Sequence, residues 1–135
     1  MKTIPLTKQT VVDCRTWARG IPSQSSLLRP DDMENPSFQC CLGFACEQSG
    51  IEREALTGIY YPQGLANRDI AVVRELVDSK SGYFSDNAWT EEAMRINDNR
   101  GVSDTTRVRK LRDHWKTLGP EFSIKFTNIP KKEKT

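Results

Sequence analysis

At 135 residues and 15.4 kDa the chain has the size of one domain, and its net charge of +2 hides an uneven distribution. Residues 1–99 carry 10 Lys/Arg against 14 Asp/Glu, whereas residues 100–135 carry 10 against 4, so an acidic body ends in a basic third. No apolar run approaches the roughly 18 residues of a membrane span, and no hydrophobic core follows the lysine of MKTIPLTKQT. With 36% apolar residues and a mean hydropathy of -0.62, a soluble cytoplasmic chain with reduced thiols is expected.

The first predicted helix covers 8–19. Thr7 can cap it, Leu6 and Val11 take the staple positions, and Val11, Cys14, Trp17 and Ala18 share one face. Gly20 and Pro22 stop it. A long connection at 20–37 follows, with Pro22, Pro30 and Pro36, and connections of this length are often functional. A second helix is expected over 40–49, ending at Gly50. TGIYYPQG at 57–64 reads as a short extended segment or an aromatic turn. A third helix is expected over 67–79 from Asn67, with Ile70, Val73 and Val77 in one apolar row.

A fourth helix is expected over 87–97 with Trp89, Ala93 and Ile96 inward. A fifth begins at the cap Ser103, and Val108, Leu111, Trp115 and Leu118 form the clearest amphipathic row. Gly119-Pro120 ends it. Residues 121–129 alternate Phe122, Ile124 and Phe126 with polar residues, the period of a half-buried strand. Its partner is expected at 57–62, at 37–40 or in the same strand of a second copy, which would make a homodimer through the C-terminal strand. The fold class is thus α+β and mostly helical, about five short helices with a small antiparallel sheet that includes the C-terminal strand. Residues 1–129 are expected to form a single compact domain, and 130–135 a disordered basic tail.

SFQCCLGFACEQSG, residues 37–50, concentrates Cys40, Cys41 and Cys46. A structural zinc site needs Cys/His ligands in pairs such as C-x2-C. Adjacent Cys40-Cys41, with Cys14 and His114 distant, fits that poorly. A cysteine nucleophile needs a neighbouring base, and His114, next to inward-facing Trp115, is the one histidine available. Packing suits the segment best: Cys41, Phe44 and Ala45 fall on one helix face, with Cys40 at its edge. Gly43, costly inside a helix, points to close approach of another backbone or a ring. No metal or cofactor is expected, and Cys40, Cys41, Gly43, Cys46, Trp17, Trp89 and Trp115 are assigned structural roles, the three tryptophans in one core.

CCLGFACEQSG resembles the Cys-Cys-Leu-Gly-x-x-Cys-x-x-x-Gly segment of a loose family of small uncharacterised tailed-phage proteins. Those proteins tend to begin with a Trp-bearing helix that ends near a Gly, matched here by Trp17 and Gly20. They also tend to carry a later hydrophobic-Asn-Asp element before a helix, here Ile96, Asn97 and Asp98. The likeness spans about residues 14–118. The basic helix after Asn97-Asp98 and the strand and tail at 121–135 depart from it. The resemblance implies a phage origin, a compact domain and no particular reaction. It implies a protein that binds and modulates a host protein, in host takeover or anti-defence, within the host cytoplasm.

Two binding readings compete. Tyr60, Tyr61, Tyr83 and Phe84 are candidate anchors for a host protein partner. Arg100, Arg107, Arg109, Lys110, Arg112 and Lys116, with tail residues Lys131, Lys132 and Lys134, are candidates for nucleic acid. No Asn or Gln lies on the basic helix, so such binding would be directed to the DNA backbone. An enzyme is not expected. Asp98 with Asp104, or Glu91 with Glu92, sit where helix caps and dipole partners belong, and no P-loop, dinucleotide fingerprint or H-E-x-x-H motif occurs.

Overall fold

A computed structural model describes residues 2–20, 26–29, 38–80 and 83–130. The elements in order are β1 (Thr3–Ile4), β2 (Gln9–Asp13), a 3-10 turn (Cys14–Thr16), α1 (Cys41–Gln48), a 3-10 turn (Arg53–Leu56), α2 (Gly64–Asn67) and β3 (Val72–Val73). A further 3-10 turn (Arg74–Leu76) leads into β4 (Val77–Lys80), β5 (Tyr83–Asp86), α3 (Ala88–Asp98), α4 (Asp104–Lys116) and β6 (Ser123–Thr127). The class is α+β. Residues 131–135 of the predicted tail and most of the connection at 20–37 lie outside the described residues.

The helices with local start signals form where expected. The Asn87 side chain accepts from Thr90 N at 2.8 Å and starts α3, and Ser103 Oγ accepts from Thr106 N at 3.2 Å and starts α4. Gly119, at φ 143, ends the α4 region in a conformation that side chains rarely adopt. Val108, Leu111 and Trp115 turn inward as the periodicity predicts. Helix α1 differs in one respect. Cys41, Leu42, Gly43, Phe44, Ala45 and Cys46 are all buried, so the helix has an inside on every side. The run CLGFAC contains no polar residue to turn toward water, and a helix apolar all round belongs in the centre of a fold.

Two expected helices are absent. Residues 9–13 form β2, and 14–16 a 3-10 turn, in place of a helix over 8–19. Thr10, Val11 and Val12 are β-branched and favour strands. Thr10 and Val12 are fully buried while Gln9 is exposed, a period of two that outweighs the helical spacing of Val11, Cys14 and Trp17. Leu6 and Thr7 are accordingly no staple or cap; Thr7 N donates to Ser49 Oγ at 2.9 Å. Likewise 67–79 is not a helix. Asp69 sits at φ 55, and the chain then gives β3, a 3-10 turn and β4, with Val72, Val73 and Leu76 fully buried. Residues 57–64 are mostly turn and lead into α2, whose last residue is Asn67, the predicted cap.

The sheet is also rearranged. The described strands form three two-stranded sheets, β1 with β3, β2 with β6, and β4 with β5. Only the last is antiparallel. The C-terminal strand β6 pairs parallel to β2, Gln9 opposite Ser123 through Asp13 opposite Thr127, and not with 57–62 or 37–40. The outer edge of β2 is closed by one side chain: Gln48 Oε1 accepts from Val11 N at 2.8 Å and Gln48 Nε2 donates to Val11 O at 2.7 Å. A single amide at the end of α1 thus substitutes for a strand.

One core joins these layers. Helix α1 packs on β2 and α3, α3 packs on α4, and α4 packs on β6. Trp17 meets Phe126 at 5.0 Å between ring centroids, and Trp115 meets Trp89 edge-on at 4.8 Å. Trp17 and Trp115 are core residues, as expected, but Trp89 is only half-buried at its margin. The Trp89 ring stacks on His114, its Nε1 donates to His114 O at 3.0 Å, and His114 Nε2 lies 2.7 Å from Trp89 O. His114 is therefore engaged with the helix pair and stands far in sequence from any thiol partner.

Candidate functional site

Three segments distant along the chain, around Trp17, Cys41 and Asn97, meet at one side chain. Asn97, the penultimate residue of α3, is 1% exposed. Its Oδ1 accepts from Trp17 Nε1 at 2.8 Å and from Cys41 N at 3.1 Å. Its Nδ2 donates to Ala18 O and to Asp98 Oδ1, each at 3.0 Å. Its backbone carbonyl accepts from Gly20 N at 2.9 Å. The first turn of a helix has N–H groups without internal partners, and Cys40 supplies no side-chain cap to α1. Asn97 provides the missing acceptor from another helix. Both lone-pair directions and both N–H groups of its amide are used, so Asn97 organises the fold and has nothing left for a ligand.

An ionic layer lies beside this junction. Arg19 stacks over Trp17 at 4.6 Å and grips the Asp104 carboxylate through Nε at 3.0 Å and Nη2 at 2.8 Å. Those bonds hold the Asp104 carboxyl below the usual range. Arg107 is buried, with Nη1 on Asp104 Oδ1 and Nη2 on Asn99 O and Val102 O. Gly20, at φ 77, lies against the same guanidinium: a Cβ there would stand 3.2 Å from Arg107 Nη2.

Cys40, Cys41, Tyr60, Met94, Asn97 and Asp98 line a nearly closed cleft of about 10 Å³, room for one water molecule at most. All four cysteines are free and buried. Burial pushes the Cys40 thiol up to about 12, raises the Cys41 and Cys46 thiols strongly, and raises Cys14 too. The thiolate is the nucleophile and the metal ligand, and burial suppresses that form here. Among the described residues no three His, Cys, Asp or Glu side chains stand close enough to share a metal ion. An aromatic disulfide reagent at about pH 8 should therefore react with none of the four thiols in native protein and with all of them in guanidinium. Because the shifts are upward, raising the pH within the native range should not open the reaction. Stoichiometric labelling of native protein would contradict the assignment.

The aromatic candidates separate into two groups. Tyr60, Tyr61 and Tyr83 are 54%, 50% and 79% exposed, whereas Phe84 is half-buried and packs on the core. On β5 Phe84 alternates with exposed Tyr83 and offers less free surface than the tyrosines. Tyr60 and Tyr61 flank an open groove of about 270 Å³ with Ile59, Gln63, Asn67 and Arg68. Their loop is tied to β5, because Gln63 N donates to Asp86 Oδ1 at 3.0 Å.

Among the described residues the basic candidates divide between the interior and separate clefts. Arg107 is corrected outright: it is a buried structural guanidinium, turned inward to Asp104. Arg100, Arg109, Lys110, Arg112 and Lys116 are exposed, and Lys116 lies 3.9 Å from Asp113. Lys110 borders a cleft of about 360 Å³ with Glu92, Arg95 and Asp113, a wall of mixed charge. Arg109 and Arg112 border a separate cleft with Thr105, Val108 and Ile129. Lys131, Lys132 and Lys134 lie outside the described residues.

The junction made by Asn97 and the strand-edge closure made by exposed Gln48 have no direct signature in the sequence. The available signal is negative: a helix that starts at Cys40-Cys41 with no Ser, Thr, Asp or Asn cap, and a buried indole, both require an acceptor from elsewhere. Compared with known protein families, with curated proteins and with solved structures, the chain matches none.

Proposed function

We propose that this protein is a non-enzymatic binding module, encoded by a phage, that holds and modulates a host protein. The phage origin rests on the Cys-Cys-Leu-Gly resemblance. The observation that carries the binding reading is the exposure of Tyr60, Tyr61 and Tyr83 on two elements joined by the Gln63–Asp86 bond. Tyrosine offers a large apolar face and a polar tip, which suits a partly wet protein interface. Burial of the four thiols supports a structural role for the cysteines and so favours binding over thiol catalysis. Affinity capture from host lysate under nuclease treatment tests this reading. One host protein should be recovered, and Tyr60→Ala/Tyr61→Ala/Tyr83→Ala should abolish its recovery while the fold persists. Equal recovery by the triple variant would overturn it.

The alternative is a backbone-directed DNA-binding protein. It is favoured by Arg109, Lys110 and Arg112, all exposed on α4 and in no ion pair among the described residues. A mobility-shift titration decides it. Binding should fall steeply with salt, and Arg109→Ala/Lys110→Ala/Arg112→Ala should weaken it on every sequence alike.

A further inference from the structure

The sheet of β2 and β6 has one closed edge and one open edge. Ser123 N donates to Lys8 O at 2.9 Å, so in this parallel register the N–H and C=O groups of Ser123, Lys125 and Thr127 face β2. Those of Ile124 and Phe126 face outward, where no strand pairs with them among the described residues. Gln48 closes the other side of the sheet. Exposed strand edges take up another strand unless they are blocked.

The surroundings of this edge are basic. Lys125 is exposed on the solvent face of β6. On the other side α4 packs over β6, and the Arg112 guanidinium lies 5.9 Å from the Phe126 ring centroid. Arg109 and Arg112 border a cleft of about 210 Å³ with Val108 and with Ile129, which follows β6 and is 50% exposed. Lys125, Arg109 and Arg112 belong to no ion pair among the described residues.

We propose that the open edge of β6 and the Arg109–Arg112 flank of α4 form a docking strip for an extended acidic segment of a partner protein. The segment adds to β6 as a strand. Its backbone pairs with Ile124 and Phe126, an acidic residue faces Lys125, and residues on the other face meet the arginines and the Val108–Ile129 cleft. Charge decides between this occupant and a second copy of the chain. Antiparallel self-pairing that uses the outward groups of both Ile124 and Phe126 sets Lys125 directly opposite its own copy, and like charges there are destabilising. An acidic strand turns the same contact into an ion pair. The proposal rests on the reading of the protein as a protein-binding module but uses residues other than the tyrosines.

The test is fluorescence anisotropy with a labelled octapeptide of repeating Glu-Glu-Val-Val, which as a strand carries an acidic residue on both faces. Controls are its Lys-Lys-Val-Val counterpart and a version N-methylated at alternate residues, which cannot join a strand edge. The Glu-Glu-Val-Val peptide should bind and both controls should fail. Arg109→Glu/Arg112→Glu and, separately, Lys125→Glu should each weaken binding on the order of tenfold. These side chains are exposed, and circular dichroism verifies that the variants fold. The triple tyrosine variant should retain peptide binding, so failure of the host-capture reading and failure of this one are separable. Equal binding of the N-methylated peptide would overturn strand addition. Indifference to charge reversal would overturn the acidic segment. A short DNA duplex that binds in place of the peptide and is lost with the same variants would assign the strip to nucleic acid. A dimer of the full chain in sedimentation that excludes the peptide would assign the edge to a second copy and overturn the proposal.

Discussion

Asn97→Ala should destabilise the protein by about 4–6 kcal/mol, enough to unfold a domain of ordinary stability at modest denaturant. The side chain is 1% exposed, and its removal strands Trp17 Nε1, Cys41 N and Ala18 O in the interior. Each orphaned buried group costs about 1–3 kcal/mol. Three elements loosen together, because the chain around Trp17, the start of α1 and the end of α3 share this one amide. Asn97→Asp should fare no better: it keeps the acceptor for Trp17 and Cys41 but loses both donors and places a carboxylate next to Asp98. Asp98→Ala is the internal comparison and should be mild, since Asp98 is only half-buried and takes one bond from the network. Urea unfolding monitored by tryptophan fluorescence reads all three. An Asn97→Ala protein with an unchanged midpoint would show that water replaces the amide without loss.

Gly43→Ala should cost about 3 kcal/mol or more, against the direction of helix propensity. In an exposed helix the same change gains about 1 kcal/mol. Here a Cβ would stand 2.0 Å from Leu27 O, 2.7 Å from Leu27 C and 2.9 Å from Leu27 Cα, so it meets backbone, which cannot rotate away. The opposing segment is fixed on several sides. Cys40 N donates to Ser26 O at 2.8 Å, Leu27 N to Ile59 O at 2.7 Å, and Gly58 N to Leu28 O at 3.0 Å. Leu27 itself is fully buried. Relief of the overlap must break those bonds or push α1 away from them. Thermal melting of Gly43→Ala beside Gly50→Ala separates close contact from backbone strain. Gly50 sits at φ 117, but the nearest atom to its added Cβ is Ile4 Cδ1 at 3.9 Å. A Gly43→Ala protein as stable as the parent would show that the 26–29 segment yields freely.

What the sequence by itself determined is local. Ser103, the apolar row Val108, Leu111 and Trp115, and Gly119 define α4 because each signal acts within a turn or two of where it is written. The alternation of Phe122, Ile124 and Phe126 defines β6 for the same reason, and Gly43 announces a close backbone approach because glycine in a helix has a cost that something must offset. The buried state of Cys40, Cys41 and Cys46 follows from the apolar run that contains them. The tertiary structure decided whatever depends on partners distant along the chain. Residues 9–13 carry both a helical and an extended pattern, and pairing with 123–127, at the far end of the sequence, selects the strand. Arg107 reads as one more surface cation of a basic helix, yet Asp104 together with Asn99 and Val102 carbonyls draws it inside. Asn97 reads as a helix stop and becomes the junction of three segments because only the folded chain brings Trp17 and Cys41 to its amide. Strand pairing and buried hydrogen bonding are properties of two or more segments at once, and no single segment carries the information for either.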